Sequence, residues 1–307
     1  MNKLSSNLPE PITLLINANS RKGRAQYRAA VAALRQAGVP LGETHMLRSR
    51  DETKRILKHE IAAGSRTVII GGGDGTLSAC ADHLAQTAVA MAVLPLGTGN
   101  TFVRSVGIPL SLQEASRTIA EGHVEAVDVG RVNGQIFLNS VSLGLSAEIA
   151  GALDRRTKRR LGLLAWPVVG ARVLWTHRAH ILKVISEEKT FHVRTHQLVV
   201  VNGRYVAGPI TASPQASVQD HTFDVFVLGG AKHGSLARTT WEWIRGKHVH
   251  SQKARYFTTR ALRVEAVRRP IDANVDGEIN ERTPLDLEVL PGALRVVVPR
   301  GFDARQV

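Results

Sequence analysis

The sequence is poor in cysteine and has no long apolar run. Cys80 is the single cysteine in 307 residues, which excludes an intramolecular disulfide and indicates a reducing compartment. No apolar run reaches the about 20 residues that a membrane-spanning helix needs. The first residues also lack the apolar core and the cleavage site of a secretory signal. We therefore expect a cytoplasmic protein that is associated at most peripherally with the inner face of a membrane.

Acidic residues are scarce relative to basic ones. Forty Lys and Arg residues against 26 Asp and Glu residues give a formal net charge of +14. Such an excess attracts polyanions, either nucleic acid or the anionic face of a bilayer, and does not distinguish between them. Hydrophobic residues make up 43% of the chain and charged residues 21%, which excludes wholesale disorder.

Strand and helix patterns alternate in the first part of the chain and then give way to strands. Apolar runs such as Ile12–Asn17 and 67–70 are separated by helical segments, which predicts right-handed crossovers and a mostly parallel sheet. Later strands follow one another with few helices, which predicts an antiparallel sandwich. We therefore predict an α/β domain over residues 1–129 and a β-rich domain over residues 130–307, whose last strand returns to the first domain.

Two glycine loops follow neighbouring strands of the predicted parallel sheet. The first reads GGGDGT at 71–76, and the second reads LGTGN at 96–100. Glycine loops that open a helix present N–H groups and the positive end of the helix to an anion, which suits a phosphate. Both loops leave the carboxyl ends of strands, where open α/β sheets bind ligands. A tight turn that binds nothing would need fewer glycines than the first loop contains.

A late acidic turn, VDGE at 275–278, is the third motif. Phosphoryl transfer needs a metal to neutralise the phosphates and a carboxylate to take the proton of the acceptor. Asp276 and Glu278 could supply carboxylates at one place in the fold. Asp-Gly is also an ordinary hairpin turn, so the spacing alone leaves the structural explanation open.

Taken in order, these three motifs resemble the diacylglycerol kinase catalytic fold, which bacterial lipid kinases share with sphingosine and ceramide kinases. The resemblance extends over nearly the whole chain and includes VDVGRVN at 127–133 and SPQASVQDHTFDV at 213–225. The first two loops are partly shared with NAD kinases and phosphofructokinases. The resemblance implies an N-terminal domain of that type, a C-terminal β-sandwich, and an ATP- and magnesium-dependent lipid kinase of phospholipid biosynthesis.

The resemblance also implies a nucleotide site built from several stretches of chain. Five residues of the first loop would lie along the ATP phosphates: Gly72, Gly73, Asp74, Gly75 and Thr76. Thr98 and Asn100 would contact the nucleotide from the second loop. Asn17 and Thr44 would stand near it at the ends of the first two strands.

Acidic residues receive further implied functions from the same resemblance. Glu278 would be the general base that activates the lipid hydroxyl, with Asp276 as its neighbour in the metal and charge network. Asp128 would add a carboxylate near the domain junction. A magnesium site of structural type would be formed by these residues: Asp220 through its side chain, and Phe223 and Val225 through backbone oxygens.

The chain departs from the pattern of the family at several positions, which include Arg21 in place of a glycine. Asn17 is followed by Ala18 where the family has Pro, and Thr101 stands in the place of an acid. At 219–221 the family's Asp-Asp-Gly becomes Gln-Asp-His. The last change weakens the structural magnesium site, because hard cations favour several oxygen ligands.

A basic cluster precedes an apolar segment with Trp166 within residues 155–169. This arrangement is typical of an interfacial membrane anchor, and a solvated helix end followed by a core helix explains it equally well. The twelve histidines show no metal-ligand grouping, so we expect them at the surface.

The substrate stays open between several lipids. Diacylglycerol, giving phosphatidic acid, is the first candidate, and sphingoid bases, ceramide and phosphatidylglycerol are alternatives. A soluble kinase of the NAD kinase type and a basic nucleic-acid-binding or regulatory protein are the rivals. We expect no specific nucleic-acid partner, because no nucleic-acid motif accompanies the charge. Homodimerisation is left open.

Overall fold

The computed structural model describes residues 8–17, 23–152, 169, 173, 176–229 and 254–306. The N-terminal elements are β1 Ile12–Asn17, α1 Gly23–Gln36, β2 Thr44–Leu47, α2 Arg50–Ala62, β3 Thr67–Gly72, α3 Asp74–Leu84, β4 Ala90–Pro95, α4 Thr101–Ser105 and α5 Leu112–Glu121. Strands dominate after α5: β5 His123–Val132, β6 Gln135–Phe137, β7 Ser140–Gly144, α6 Leu145–Ala152, β8 His180–Ser186, β9 Thr190–Val201, β10 Tyr205–Ala207, β11 Ile210–Thr211, β12 Phe223–Gly229, β13 Ala254–Thr259, β14 Ala261–Ala266, β15 Asp272–Val275, β16 Glu278–Arg282 and β17 Leu285–Val298.

The N-terminal strands form a parallel sheet in the order β2, β1, β3 and β4. Every residue of β3 and β4 is buried, as are the first five residues of β1. Continuous apolar runs of this kind are what a parallel strand needs when both faces of the sheet are covered. The carboxyl ends of β1 and β3 therefore lie side by side, and the first glycine loop begins there.

The strands after α5 pair antiparallel with one another and continue the same sheet, except for β10 and β11, which form a separate two-stranded sheet. β17 makes the connection, because it pairs parallel with β4 and antiparallel with β5 and β14. The path then runs through β8, β9, β7 and β15 to β16. This arrangement confirms the predicted fold class, a parallel α/β part followed by an antiparallel β-rich part. The boundary between residues 129 and 130 stays a prediction, and β5 spans it.

Two large apolar cores correspond to the two kinds of sheet. One lies around β1, β3 and β4 and includes Phe102 and Leu77, which are fully buried. The other lies among the antiparallel strands, where the rings of Phe137 and Phe223 stack with centroids 5.6 Å apart. Burial of large apolar side chains at about 1.5–3 kcal/mol each is the main source of stability.

The described residues contain no helix that is long and apolar enough to cross a bilayer. The predicted membrane segment at 155–169 lies outside the described residues except for Val169, so it stays a prediction.

Candidate functional site

The first glycine loop connects β3 to α3 without a capping side chain. Gly72 ends β3, Gly73 follows in an extended conformation, and α3 begins at Asp74. The Gly73 carbonyl accepts from the N–H group of Thr76 at 2.9 Å, but Gly73 has no side chain that could accept from the N–H groups of Asp74 and Gly75. Those N–H groups and the positive end of the helix dipole can therefore bind an anion.

The two glycine loops touch each other backbone to backbone. A Cβ atom on Gly97 would lie 2.4 Å from the Cα atom of Gly73, and one on Gly73 would lie 3.1 Å from the Cα atom of Gly97. Gly72 is confined in the same way, because its Cβ atom would lie 2.7 Å from that of Thr76. Any larger residue at Gly97 would push the loops apart. Glycine at these positions therefore lets the loops form one continuous surface.

Asp74 fastens the first loop to the second. Its carboxylate accepts hydrogen bonds from the N–H groups of Thr101 at 2.8 Å and Phe102 at 3.2 Å, in the first turn of α4. An acid in this place stabilises a helix N-terminus. The Thr101 hydroxyl donates to Asp74 at 3.3 Å and accepts from the N–H group of Gly208 at 2.8 Å. Thr101, which replaces the acid of the family pattern, thus joins three segments of the chain.

A cavity of about 810 Å³ lies beside the first loop. Asn17, at the end of β1, and Thr76, in α3, line it, and the Asn17 side-chain amide donates to the Thr76 hydroxyl at 2.7 Å. Arg48 and Arg50, which follow the end of β2, bring positive charge to the cavity. The cavity therefore combines helix N–H groups with two cations, which suits a polyanionic ligand.

Asp276 is held by four hydrogen-bond donors in the turn between β15 and β16. Its Oδ2 atom accepts from the hydroxyl of Ser78 at 2.5 Å and from the N–H group of Leu138 at 2.7 Å. Its Oδ1 atom accepts from the N–H groups of Asn139 and Ser140, both at 2.9 Å. Burial raises the pKa of the Asp276 carboxyl and outweighs the hydrogen bonds, which lower it.

The four donors occupy the lone pairs of the Asp276 carboxylate, because each oxygen has about two. These contacts make Asp276 a positioning residue. The expectation that it belongs to a metal network stays a prediction. The turn that it holds needs positive φ at Asp276 and at Gly277, where φ is 47° and 94°.

Glu278 follows this turn and stands between two cavities. A Cβ atom on Gly75 would lie 3.5 Å from the Glu278 carboxylate, so the side chain lies over the first glycine loop. Arg50 of α2 forms an ion pair with the carboxylate, which is 39% exposed. Glu278 lines the larger cavity and also a second cavity of about 210 Å³. The carboxylate is therefore accessible from both sides.

The smaller cavity shares four residues with the larger one: Arg50, Gly75, Ala79 and Glu278. Lys54, Asp82 and other polar residues of α2, α3 and the β15–β16 hairpin line the rest of it. Two ligands could therefore meet at Glu278, one from each cavity.

Thr44 does not lie at this site. It begins β2 and pairs with Leu14, whereas Asn17 pairs with Leu47 at the other end of the strand. At about 3.3 Å per residue, Thr44 is about 10 Å from the edge where the loops lie. Its hydroxyl is hydrogen-bonded to that of Tyr27 at 2.8 Å. The expectation that Thr44 stands near the nucleotide is wrong, because β2 begins at Thr44 and ends at Leu47.

The two predicted residues of the second loop differ in their environment. Thr98 is exposed. Asn100 is only 6% exposed and has a φ of 50°, and its amide donates to the carbonyl of Gly97 at 3.1 Å. None of the described residues donates a hydrogen bond to its Oδ1 atom. Asn100 therefore shapes the second loop, and the structure does not place it at the wall of either cavity.

Asp128 lies away from both cavities and has a structural function. It is 1% exposed, and its carboxylate accepts from the N–H groups of His221 and Gly292, both at 2.8 Å. The His221 ring contacts it as well, at 3.0 Å. These contacts join β5 to the loop before β12 and to the bulge in β17.

The predicted magnesium ligands at Asp220, Phe223 and Val225 lie in this same region. The Asp220 carboxylate accepts from the N–H groups of Ser217 and Thr222 at 2.8 and 3.0 Å, and burial raises its pKa. Val225 is paired on both sides within the sheet. Its backbone groups therefore face the neighbouring strands β9 and β13. The arrangement does not favour this site, which stays a prediction.

Sequence patterns do not single out Arg48, Arg50 or Ser78. The two arginines have a local signal, since they follow a predicted strand at the edge where the loops lie. Ser78 has none, because its partner Asp276 is 198 residues away.

We expect Asp276→Asn to destabilise the protein. The NH2 group of the asparagine would replace an oxygen that accepts from two donors, and those donors would lose their acceptor. Each donor left without an acceptor should lower the free energy of unfolding by about 1–3 kcal/mol. Asp272→Asn, in the same hairpin, is the matched control, because Asp272 is exposed and forms a surface ion pair with Arg282. It should cost no more than about 1 kcal/mol. Urea unfolding measures both, and equal losses would contradict the importance of the Asp276 contacts.

Comparisons with known proteins agree with this geometry. Residues 11–132 match the diacylglycerol kinase catalytic domain, and residues 139–298 match the YegS C-terminal NAD kinase beta sandwich-like domain. A Pseudomonas aeruginosa protein named "Probable lipid kinase YegS-like" is 33% identical over 299 residues, covering 94% of each chain. The diacylglycerol kinase of Bacillus subtilis (strain 168) is 28% identical and covers 92% of this chain and 95% of its own length.

A solved structure of a diacylglycerol kinase from Bacillus anthracis str. Sterne has the same fold. The TM-score is 0.76 at 22% identity, covering 95% of this chain and 98% of that one. The two domain models match most of the sequence, and the relatives have a similar length. Both findings agree with the order of the motifs in the chain. The chain therefore belongs to the family of lipid kinases that carry the diacylglycerol kinase catalytic domain.

Proposed function

We propose that this protein transfers the γ-phosphate of ATP to a lipid hydroxyl, with diacylglycerol as the first candidate acceptor and phosphatidic acid as the product. The observation that carries the proposal is the place of Glu278. Its carboxylate lies over the first glycine loop, where two cavities meet. A kinase needs this arrangement, because the phosphate donor and the acceptor must approach one base from different directions.

The larger cavity fits the phosphates of ATP. The N–H groups at the start of α3 and the cations of Arg48 and Arg50 face a space of about 810 Å³. The contact of Gly73 with Gly97 gives the bound phosphates a surface free of Cβ atoms.

Magnesium also fits this cavity, with few ligands from the protein. Asp74 and Glu278 are the carboxylates that line it. Because Glu278 must stay available to accept a proton, Asp74 would hold the ion through its Oδ2 atom, which among the described residues accepts only from the Thr101 hydroxyl. Magnesium is commonly bound by one or two carboxylates, with phosphate oxygens and water completing its shell. When bound, it would neutralise charge on the phosphates.

In the proposed reaction, Glu278 accepts the proton of the acceptor hydroxyl. The oxygen of that hydroxyl then forms a bond to the γ-phosphorus, and the bond to the β-phosphate oxygen breaks to release ADP. Asp276 contributes by fixing the turn from which Glu278 projects. The smaller polar cavity would hold the head of the acceptor.

A lipid is the favoured acceptor because of the relatives and the charge. The Bacillus subtilis relative is named diacylglycerol kinase, and the Pseudomonas aeruginosa relatives are named lipid kinases. The net charge of +14 would attract the protein to an anionic membrane surface. Sphingoid bases, ceramide and phosphatidylglycerol offer a similar hydroxyl, and a soluble acceptor such as NAD is the alternative outside the lipids.

Arg50 would couple nucleotide binding to the availability of the Glu278 carboxylate. Its guanidinium forms an ion pair with Glu278 and lines the larger cavity. The phosphates of ATP would compete for this guanidinium, because an arginine binds phosphate oxygens at least as well as it binds carboxylate oxygens. We propose that ATP draws Arg50 away and so frees Glu278 for the acceptor.

The first test measures ATP consumption with magnesium and anionic vesicles that each contain one candidate lipid. Glu278→Gln should lower kcat about 10²–10⁴-fold, because the amide cannot accept the proton. Glu281→Gln is the matched control: it makes the same charge change in the same strand, and Glu281 lines neither cavity. It should retain activity.

Turnover with diacylglycerol that depends on Glu278 would support the proposal. Turnover with another lipid would keep the mechanism and replace the acceptor. Turnover with NAD alone, or equal activity in Glu278→Gln and the wild type, would contradict it.

Arg50→Gln should raise the KM for ATP about tenfold or less, because a partly exposed charge-assisted hydrogen bond to phosphate is lost. Arg55→Gln is the control, since Arg55 is exposed on the same helix and lines neither cavity. Steady-state kinetics with varied ATP measure both variants. If they give the same KM, Arg50 does not contact the nucleotide.

A further inference from the structure

A cluster of histidine and glutamate side chains lies outside both cavities. Glu148 is on α6, His180 is the first residue of β8, and His177 lies three residues before that strand. The pattern of the sequence predicts no metal-ligand grouping, because Glu148 is 29 and 32 residues from the two histidines. The fold nevertheless brings them together.

The three side chains are arranged around one point. Nδ1 of His177 is 2.9 Å from Oε2 of Glu148, and Nε2 of His180 is 3.1 Å from Oε1. One ligand atom from each residue lies within 4.8 Å of the other two. Ligand atoms around a tetrahedral zinc ion are about 3.4 Å apart, since the bonds are about 2.0–2.1 Å long. Shifts of about 1 Å would complete that geometry.

The exposure of the cluster suits an exchangeable metal ion. The His177 side chain is fully buried, whereas those of His180 and Glu148 are 27% and 37% exposed. The buried ring fixes one ligand, and the other two leave an opening to solvent. The ring of His196, 5.2 Å from that of His177, forms a further wall.

The chemical type of the three ligands also suits a metal cation. Two imidazoles and one carboxylate are a ligand set that suits zinc, whereas magnesium and calcium prefer oxygen ligands alone.

We propose that Glu148, His177 and His180 form a binding site for a zinc ion, with a water molecule in the fourth position. This site is separate from the phosphate cavity and does not depend on the proposed kinase reaction. The ion would join α6 to the start of β8. Because α6 packs against β15 and β16, it would also steady the hairpin that carries Glu278.

The experiment titrates ZnCl2 into untagged protein from which metals have been removed with a chelator. Isothermal calorimetry gives stoichiometry and affinity, and thermal unfolding with and without zinc gives a second readout. His180→Gln and Glu148→Gln each remove one ligand from a partly exposed position. His123→Gln is the matched control, because His123 forms an exposed pair with Glu125 and lies outside the cluster.

We expect the wild type and His123→Gln to bind one zinc ion and to unfold at a higher temperature when zinc is present. His180→Gln and Glu148→Gln should each weaken zinc binding at least about tenfold and lose the thermal shift. Circular dichroism checks that both variants are folded. If zinc binding and the thermal shift are absent in the wild type, or unchanged in both variants, the cluster is a hydrogen-bonded group without a metal and the proposal is wrong.

Discussion

The buried carboxylate of Asp276 joins parts of the chain that are far apart in sequence. It takes one hydrogen bond from Ser78 in α3 and three from the N–H groups of residues 138–140. These contacts hold the β15–β16 turn in a left-handed conformation that few residues adopt. Glu278 projects from that turn over the first glycine loop. The geometry of the proposed reaction therefore depends on a carboxylate that does not take part in it.

A steric constraint acts on the other side of the site. Gly73 and Gly97 are in contact through their backbones, and Asp74 ties the same two loops together through the first turn of α4. One surface of N–H groups results, with Arg48 and Arg50 beside it. Because β17 runs through both the parallel and the antiparallel strands, the glycine loops and the acidic hairpin belong to one continuous sheet. The sheet and its loops together therefore position Glu278 relative to the first glycine loop.

Much of this could be predicted from the sequence, because the signals are local. Apolar runs, glycine loops and the change from alternating elements to strands are all visible within short windows, and their order carries the resemblance to lipid kinases. Long-range contacts carry no such signal, so the partners of Asp276, the ion pair of Arg50 and the grouping of Glu148 with His177 need the fold. Thr44 was misplaced for another reason, because the direction and end of a short strand decide which residue reaches the sheet edge.

The central claim is that ATP phosphates lie between the glycine loops and Glu278. A crystal structure of the Glu278→Gln variant with ATP and magnesium tests it most directly, since loss of the base would preserve the nucleotide. We predict that the phosphates lie along residues 72–76, with the γ-phosphate facing residue 278 and Arg50 turned towards the phosphates. A nucleotide bound elsewhere, or a γ-phosphate turned away from residue 278, would contradict the account.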